Sequence, residues 1–125
     1  MTMLQQGEQV PHFAVSDVTG RRAAYADVWQ RKHLVLVRLT DPGASPSSPL
    51  ASGLSSVDDD DVRLVVTTDP VAGIPGSGVA IADRWGETAY VAHGTQDADL
   101  PAAGEILDWV RYVRQQCPEC EGEAR

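Results

Sequence analysis

The sequence predicts an α/β domain with a mixed central sheet, and three segments carry that prediction. Residues 33–39 (HLVLVRL) form a nearly continuous branched apolar run, the pattern of a central strand buried on both faces. Residues 62–68 (VRLVVTT) are a second buried strand of the same kind. Residues 102–116 read as an amphipathic helix, because Ile106, Trp109, Val110 and Val113 fall at i, i+3, i+4 and i+7 and make one apolar stripe.

The remaining elements follow in chain order. Alternation of Phe13 with Val15 predicts a short strand, and Asp17 to Gly20 a turn in which Asp bonds backbone two residues on. Residues 21–25 return as a second strand, and Asp27 is the expected N-cap of a short helical turn through Trp29 and Gln30. Residues 40–56 hold three prolines, two glycines and six serines, so only a short helix is expected, starting near Ser48. The four aspartates at 58–61 read as a solvated turn, since four adjacent side chains cannot all face one ion. Residues 69–78 (DPVAGIPGSG) form a loop, without the strand-to-helix pattern of a phosphate cradle. Residues 79–82 and 88–92 pair as a hairpin through Asp83, Arg84, Trp85 and Gly86. Residues 93–100 are polar loop, and Pro101 opens the final helix, where its fixed φ and missing donor cost nothing. Asp108 can reach Arg111 or Tyr112 on the helix flank. Pro118 ends the helix near Gln116 by disfavouring helical geometry at Cys117.

Composition narrows the function classes. A chain of 125 residues makes about one domain, with 1–116 as its body and 117–125 as an acidic tail. The formal net charge of −8 argues against binding a phosphate backbone. No apolar run approaches the roughly 18 residues of a membrane span, and residues 1–9 lack the features of a secretory signal. The expectation is a soluble cytoplasmic protein with a protein partner, and with neither nucleic acid nor membrane.

Two stretches carry a family resemblance. Residues 10–39 (VPHFAVSDVTGRRAAYADVWQRKHLVLVRL) resemble the opening of the alkyl hydroperoxide reductase and thiol-specific antioxidant group of redoxins: a Pro-x-Phe strand, a turn with Gly, a short helix, then a long apolar strand. Residues 79–91 (VAIADRWGETAYV) resemble that group's later hairpin, and the terminal helix fits as well. The resemblance implies a thioredoxin-like, peroxiredoxin-like fold with shortened helices. It also implies a reactive cysteine in the loop after the central strand, at a helix N-terminus that stabilises thiolate. Here that loop, 40–48 (TDPGASPSS), has no cysteine, and serine is a weak nucleophile without an adjacent base. The family's cis-proline counts back from Asp83 to near Ser77; the nearest proline is Pro75, and the residues leave the 74–75 bond open. Ten residues at 69–78 are too few for the usual helical crossover, so one helix of the fold should be missing.

The only two thiols, Cys117 and Cys120, form a Cys-Pro-Glu-Cys motif in the tail. As a catalytic redox dithiol the spacing is right. The setting opposes thiolate, because the motif follows a helix and sits among Glu119, Glu121 and Glu123, with Arg111 and Arg114 offsetting this in part. As a metal site the motif resembles the knuckle of zinc ribbons and rubredoxins. It supplies two ligands where structural zinc takes four, so the others would come from a histidine or from a second chain in a zinc-linked homodimer. The third reading is a tail with free or incidentally paired thiols. The expected function is a non-catalytic binding or accessory role on a redoxin scaffold, with no cofactor unless zinc binds, and with dithiol-disulfide oxidoreductase and zinc-linked dimer as alternatives. Among the histidines, His12 is expected to face solvent, His33 to start the central strand and His93 to end the hairpin. Trp109 is expected in the core, and Trp85 to cover the sheet end or a partner surface.

Overall fold

The computed structural model describes residues 3–115. Its centre is a four-stranded mixed sheet in the order β4-β3-β5-β6. Strand β3 (His33–Arg38) pairs in parallel with β4 (Val62–Thr67) on one side. On its other side β3 pairs antiparallel with β5 (Ser77–Ala82), which pairs antiparallel with β6 (Thr88–Gly94). Position follows from burial: Leu34 to Val37 have no exposed surface, as expected of a strand with partners on both edges and covered faces. A separate two-stranded hairpin, β1 (Ala14–Ser16) and β2 (Arg22–Ala24), precedes the sheet.

The two faces of the sheet are covered differently. Helices α1 (Pro49–Leu54) and α2 (Ala103–Gln115) pack on one face, where Leu54, Ile106, Val110 and Val113 meet Val35, Val37, Val79 and Ile81. The other face, with Leu34, Leu36, Val65 and Ala80, is covered by Leu4, Val10, Phe13, Val15 and Tyr25 from the N-terminal segment and hairpin. Alternation of Phe13 and Val15 inward with His12 and Ala14 outward is the pattern read in the sequence.

Residues 68–76 cross from β4 to β5 without a helix, as the short spacing predicts. Side chains do the work of the missing helix: Val71 and Ile74 enter the core beside Leu4. The loop backbone is held by Leu4 N–H donating to the Gly73 carbonyl (2.8 Å) and Arg38 Nη1 donating to the Ile74 carbonyl (2.7 Å). The peptide bonds of the described residues are all trans, 74–75 included.

Several local expectations are corrected. Asp27 does not cap a helix; it ends a 3-10 turn (Tyr25–Asp27) whose N-cap is Ala24, with no side-chain bond. The turn is stabilised instead by the buried Tyr25, whose carbonyl accepts from Val28 and Trp29. Pro101 lies ahead of α2 rather than inside it, and Ala102 offers the first carbonyl, to Glu105 and Ile106. The hairpin strands are longer than read: β5 begins at Ser77, and β6 continues to Gly94, so that His93 lies within it. Trp109 is half-buried at the edge of the core, stacked on Tyr90 with ring centroids 4.9 Å apart. Trp85 is 46% exposed; its carbonyl accepts from the Trp29 indole.

The aspartate run ties elements together. Asp59 Oδ1 accepts from the Asp61 and Val62 N–H groups, and Arg114 of α2 donates to Asp59 (2.9 Å) and Asp61 (3.3 Å). The Arg114 bond, with the backbone bonds, holds the Asp59 carboxyl below the ordinary carboxylate value. Asp108 pairs with Arg111 at 2.9 Å.

His33, where β3 begins, is buried, and desolvation lowers its pKa, with Arg84 adding to the effect. The unfolded chain therefore takes up a proton that the folded chain resists. Stability is expected to fall as pH drops below about 6.5 toward the lowered value, and His33→Gln should flatten that slope in urea midpoints measured across the range.

Candidate functional site

The candidate site is the end of the sheet where β3 runs into residues 40–48, the place at which a redoxin would carry its reactive thiol. Three polar residues from distant parts of the chain meet there. Thr40 follows β3, Ser77 begins β5 and is fully buried, and Asp97 stands in a 3-10 turn (Asp97–Asp99) after β6.

The turn that presents Asp97 is built locally. Gln96 is its N-cap, and Asp99 Oδ2 accepts from Thr95 N–H (3.0 Å), Thr95 Oγ1 (3.0 Å) and Gln96 N–H (3.2 Å). These bonds hold the Asp99 carboxyl below its ordinary value, Gln96 N–H contributing most. Gly94 leaves room for the turn to fold back, since a Cβ there would lie 2.6 Å from the Asp99 Cβ.

Asp97 is thereby aimed at the ends of β3 and β5. Its Oδ1 accepts from Thr40 N–H (2.7 Å), Thr40 Oγ1 (3.1 Å) and Ser77 Oγ (2.6 Å), and its Oδ2 from Asp41 N–H (3.2 Å). The Thr40 and Ser77 hydroxyls are 3.1 Å apart. Partial burial pushes the Asp97 carboxyl up, but the bonds from Ser77, Thr40 and Asp41 outweigh it, and the pKa is lowered. A carboxylate so occupied is a poor general base, because its proton affinity is far below the operating pH and its lone pairs are taken.

The rest of the loop is also closed on itself. Asp41 Oδ1 accepts from Gly43 N–H (2.8 Å), and Ser48 Oγ accepts from Ser45 N–H (2.9 Å). Ser45 and Ser47 share a bond of 2.9 Å between hydroxyls. The short helix expected near Ser48 is α1, with Ser48 its N-cap and Pro49 its first residue. None of these serines has a histidine or lysine among its hydrogen-bond partners within the described residues.

Cys117 and Cys120 lie outside the described residues, and so does the boundary placed between 116 and 117. Among the described residues no group of three His, Cys, Asp or Glu could hold a metal ion. His93 binds structurally, its Nε2 lying 2.9 Å from the Leu4 carbonyl oxygen. His12 is exposed and sits edge-on to Tyr25 and Trp29. No helix of the described residues is long and apolar enough to cross a membrane.

Sequence reasoning missed Asp97, leaving residues 93–100 as undifferentiated loop. One signal was present: Gln96 and Asp99 have the spacing of a capping box, which marks an ordered turn.

The sequence matches no family model and no curated protein. Solved structures do match in shape. The chain is similar to a peroxiredoxin-like protein from Aquifex aeolicus, with a TM-score of 0.63 at 13% identity over 90% of each chain. It is similar to the reduced 2-Cys peroxiredoxin of Plasmodium vivax, with a TM-score of 0.62 at 12% identity over 89% of this chain and 97% of that one. A thioredoxin-family thiol:disulfide interchange protein from Chlorobium tepidum gives a TM-score of 0.51 at 13% identity, over 89% and 97%. The fold is thioredoxin-like, and at these identities the likeness speaks to the fold alone.

Proposed function

We propose that this chain uses a redox fold for a non-catalytic binding or accessory role, and that the end of its sheet carries no peroxidase or reductase chemistry. The carrying observation is the occupation of Asp97. In the place where a redoxin needs an activated thiol, the chain has hydroxyls, and the carboxylate beside them is already bound by Thr40, Asp41 and Ser77. A serine or threonine hydroxyl becomes a nucleophile only when a base takes its proton. Asp97, with a lowered pKa, is a weak one.

The test is turnover by the full chain in peroxide-consumption and insulin-reduction assays. No rate above background is the expected result. Turnover abolished by Cys117→Ser would move the chemistry to the tail and replace this reading with a dithiol-disulfide oxidoreductase. Elemental analysis of the same sample separates the zinc-linked dimer, which requires about one metal per two chains and dissociates on chelation.

A further inference from the structure

Beside the β1–β2 hairpin lies a groove of about 390 Å³. Its walls carry Arg21, Arg22, Lys32 and Arg63, four of the ten basic residues in a chain of net charge −8. Asp27 is the one acid of the lining. Gathering four cations around one concavity costs mutual repulsion, which an anionic ligand removes.

The cations are held in place but not used up. The turn before β2 is fixed by Asp17 Oδ1, which accepts from Thr19 N–H and Arg21 N–H. Among the described residues the Arg21 and Arg22 guanidinium groups donate no hydrogen bond, although Asp17 is an electrostatic neighbour of Arg21. Lys32 gives one donor to the Asp59 carbonyl (2.9 Å). Arg63, its side chain only 20% exposed, is ion-paired with Asp58 at 3.7 Å, a separation longer than a hydrogen bond that leaves its N–H groups free to donate.

A second cavity of about 180 Å³ adjoins the first and shares Arg21 and Arg63 with it. Val18, Leu64 and Val66 give this second space an apolar wall, and Asp17 and Asp58 lie on its lining too. Arg21 and Arg63 thus line both a cationic space and a partly apolar one whose carboxylates repel any further negative charge.

We propose that this groove binds a small phosphomonoester with an apolar body. The phosphoryl group sits among Arg21, Arg22, Lys32 and Arg63, and the body lies against Val18 and Leu64. A phosphoryl group fits better than a carboxylate, because it brings about two negative charges and three acceptor oxygens to three guanidinium forks. The larger cavity is within the size of small-molecule sites. The groove begins near Lys32, ahead of β3, whereas Thr40 follows that strand, so the proposal stands whether or not the Asp97 end is catalytically silent.

Amide NMR titration of the full chain with phenyl phosphate, inorganic phosphate and benzoate tests it. Phenyl phosphate is expected to shift Arg22, Ala24 and Arg63 together with Val18 and Leu64, saturably. Inorganic phosphate should shift only the first group, and benzoate should bind about tenfold more weakly than phenyl phosphate. Arg22→Ala, at an exposed position, and Arg63→Gln should each weaken phenyl phosphate about tenfold. Absence of saturable shifts, or equal affinity in Arg22→Ala protein, overturns the proposal. So does saturation by an oligoglutamate peptide where phenyl phosphate gives none, which would assign the groove to an acidic peptide.

Discussion

Ile74→Ala is expected to lower the unfolding free energy by about 3 kcal/mol, measured by urea denaturation. Substitutions in loops away from such contacts usually stay within about 0.5 kcal/mol, so this is a large effect for a residue between strands. The reason is the lost crossover. Residues 68–76 have no helix to cover the sheet, and Ile74, fully buried, is one of the side chains that fill that space. Alanine would leave a cavity under a loop whose backbone is fixed by Arg38 and Leu4, which limits its collapse. Gly78 provides a second probe. A Cβ at Gly78 would lie 2.5 Å from the Ile74 Cγ2 and 3.2 Å from the Ala92 carbonyl oxygen. Gly78→Ala should therefore cost about 1–3 kcal/mol by overpacking. In the double variant the Ile74 clash is gone, so the two costs should fall short of their sum by about 1 kcal/mol. A cost below about 1 kcal/mol for Ile74→Ala would mean that the loop is not seated as described.

Asp97→Ala is expected to cost about 2 kcal/mol at neutral pH, because four hydrogen bonds to one carboxylate are lost and the buried Ser77 hydroxyl keeps only Thr40. The figure is held below the sum of the separate bonds because Asp97 is partly solvated. The sign of the pH dependence follows from the lowered pKa. Asp97 stabilises the fold fully above the unfolded carboxylate value of about 3.9, and this contribution is lost as pH falls through the lower folded value. Wild-type and Asp97→Ala proteins should thus differ clearly in urea midpoint at neutral pH and converge in acid. A constant difference across that range would show that the ionised carboxylate is not what holds Thr40, Asp41 and Ser77.

Much of the fold is legible in the sequence where a single element carries its own pattern. The run at 33–39 announces a doubly covered strand, and Leu34 to Val37 are buried without residue. The stripe of Ile106, Val110 and Val113 does the same for α2. The missing crossover can be read from length alone, since a helix and two turns need more chain than 69–78 provides. Elements specified by their neighbours are not legible. The turn at Tyr25–Asp27 owes its position to a buried Tyr25 rather than to an N-cap, so Asp27 misleads. Pro101 suits a first helical turn, yet the helix waits two residues for Ala103.

The candidate site is less legible than the fold for a physical reason. Thr40, Ser77 and Asp97 are separated by 37 and 20 residues, and only strand order brings them together. The sequence marks the absence of a cysteine at 40–48 but not the carboxylate that occupies the hydroxyls there. The basic groove is scattered likewise, over 21, 22, 32 and 63.

The most direct test of the central claim removes both thiols. Cys117→Ser/Cys120→Ser protein, otherwise the full chain, is assayed for steady-state peroxide consumption with dithiothreitol as reductant. The account predicts a rate equal to the buffer blank, because Asp97, Thr40 and Ser77 offer no activated nucleophile. Turnover that survives in this variant and disappears on Asp97→Ala would contradict it.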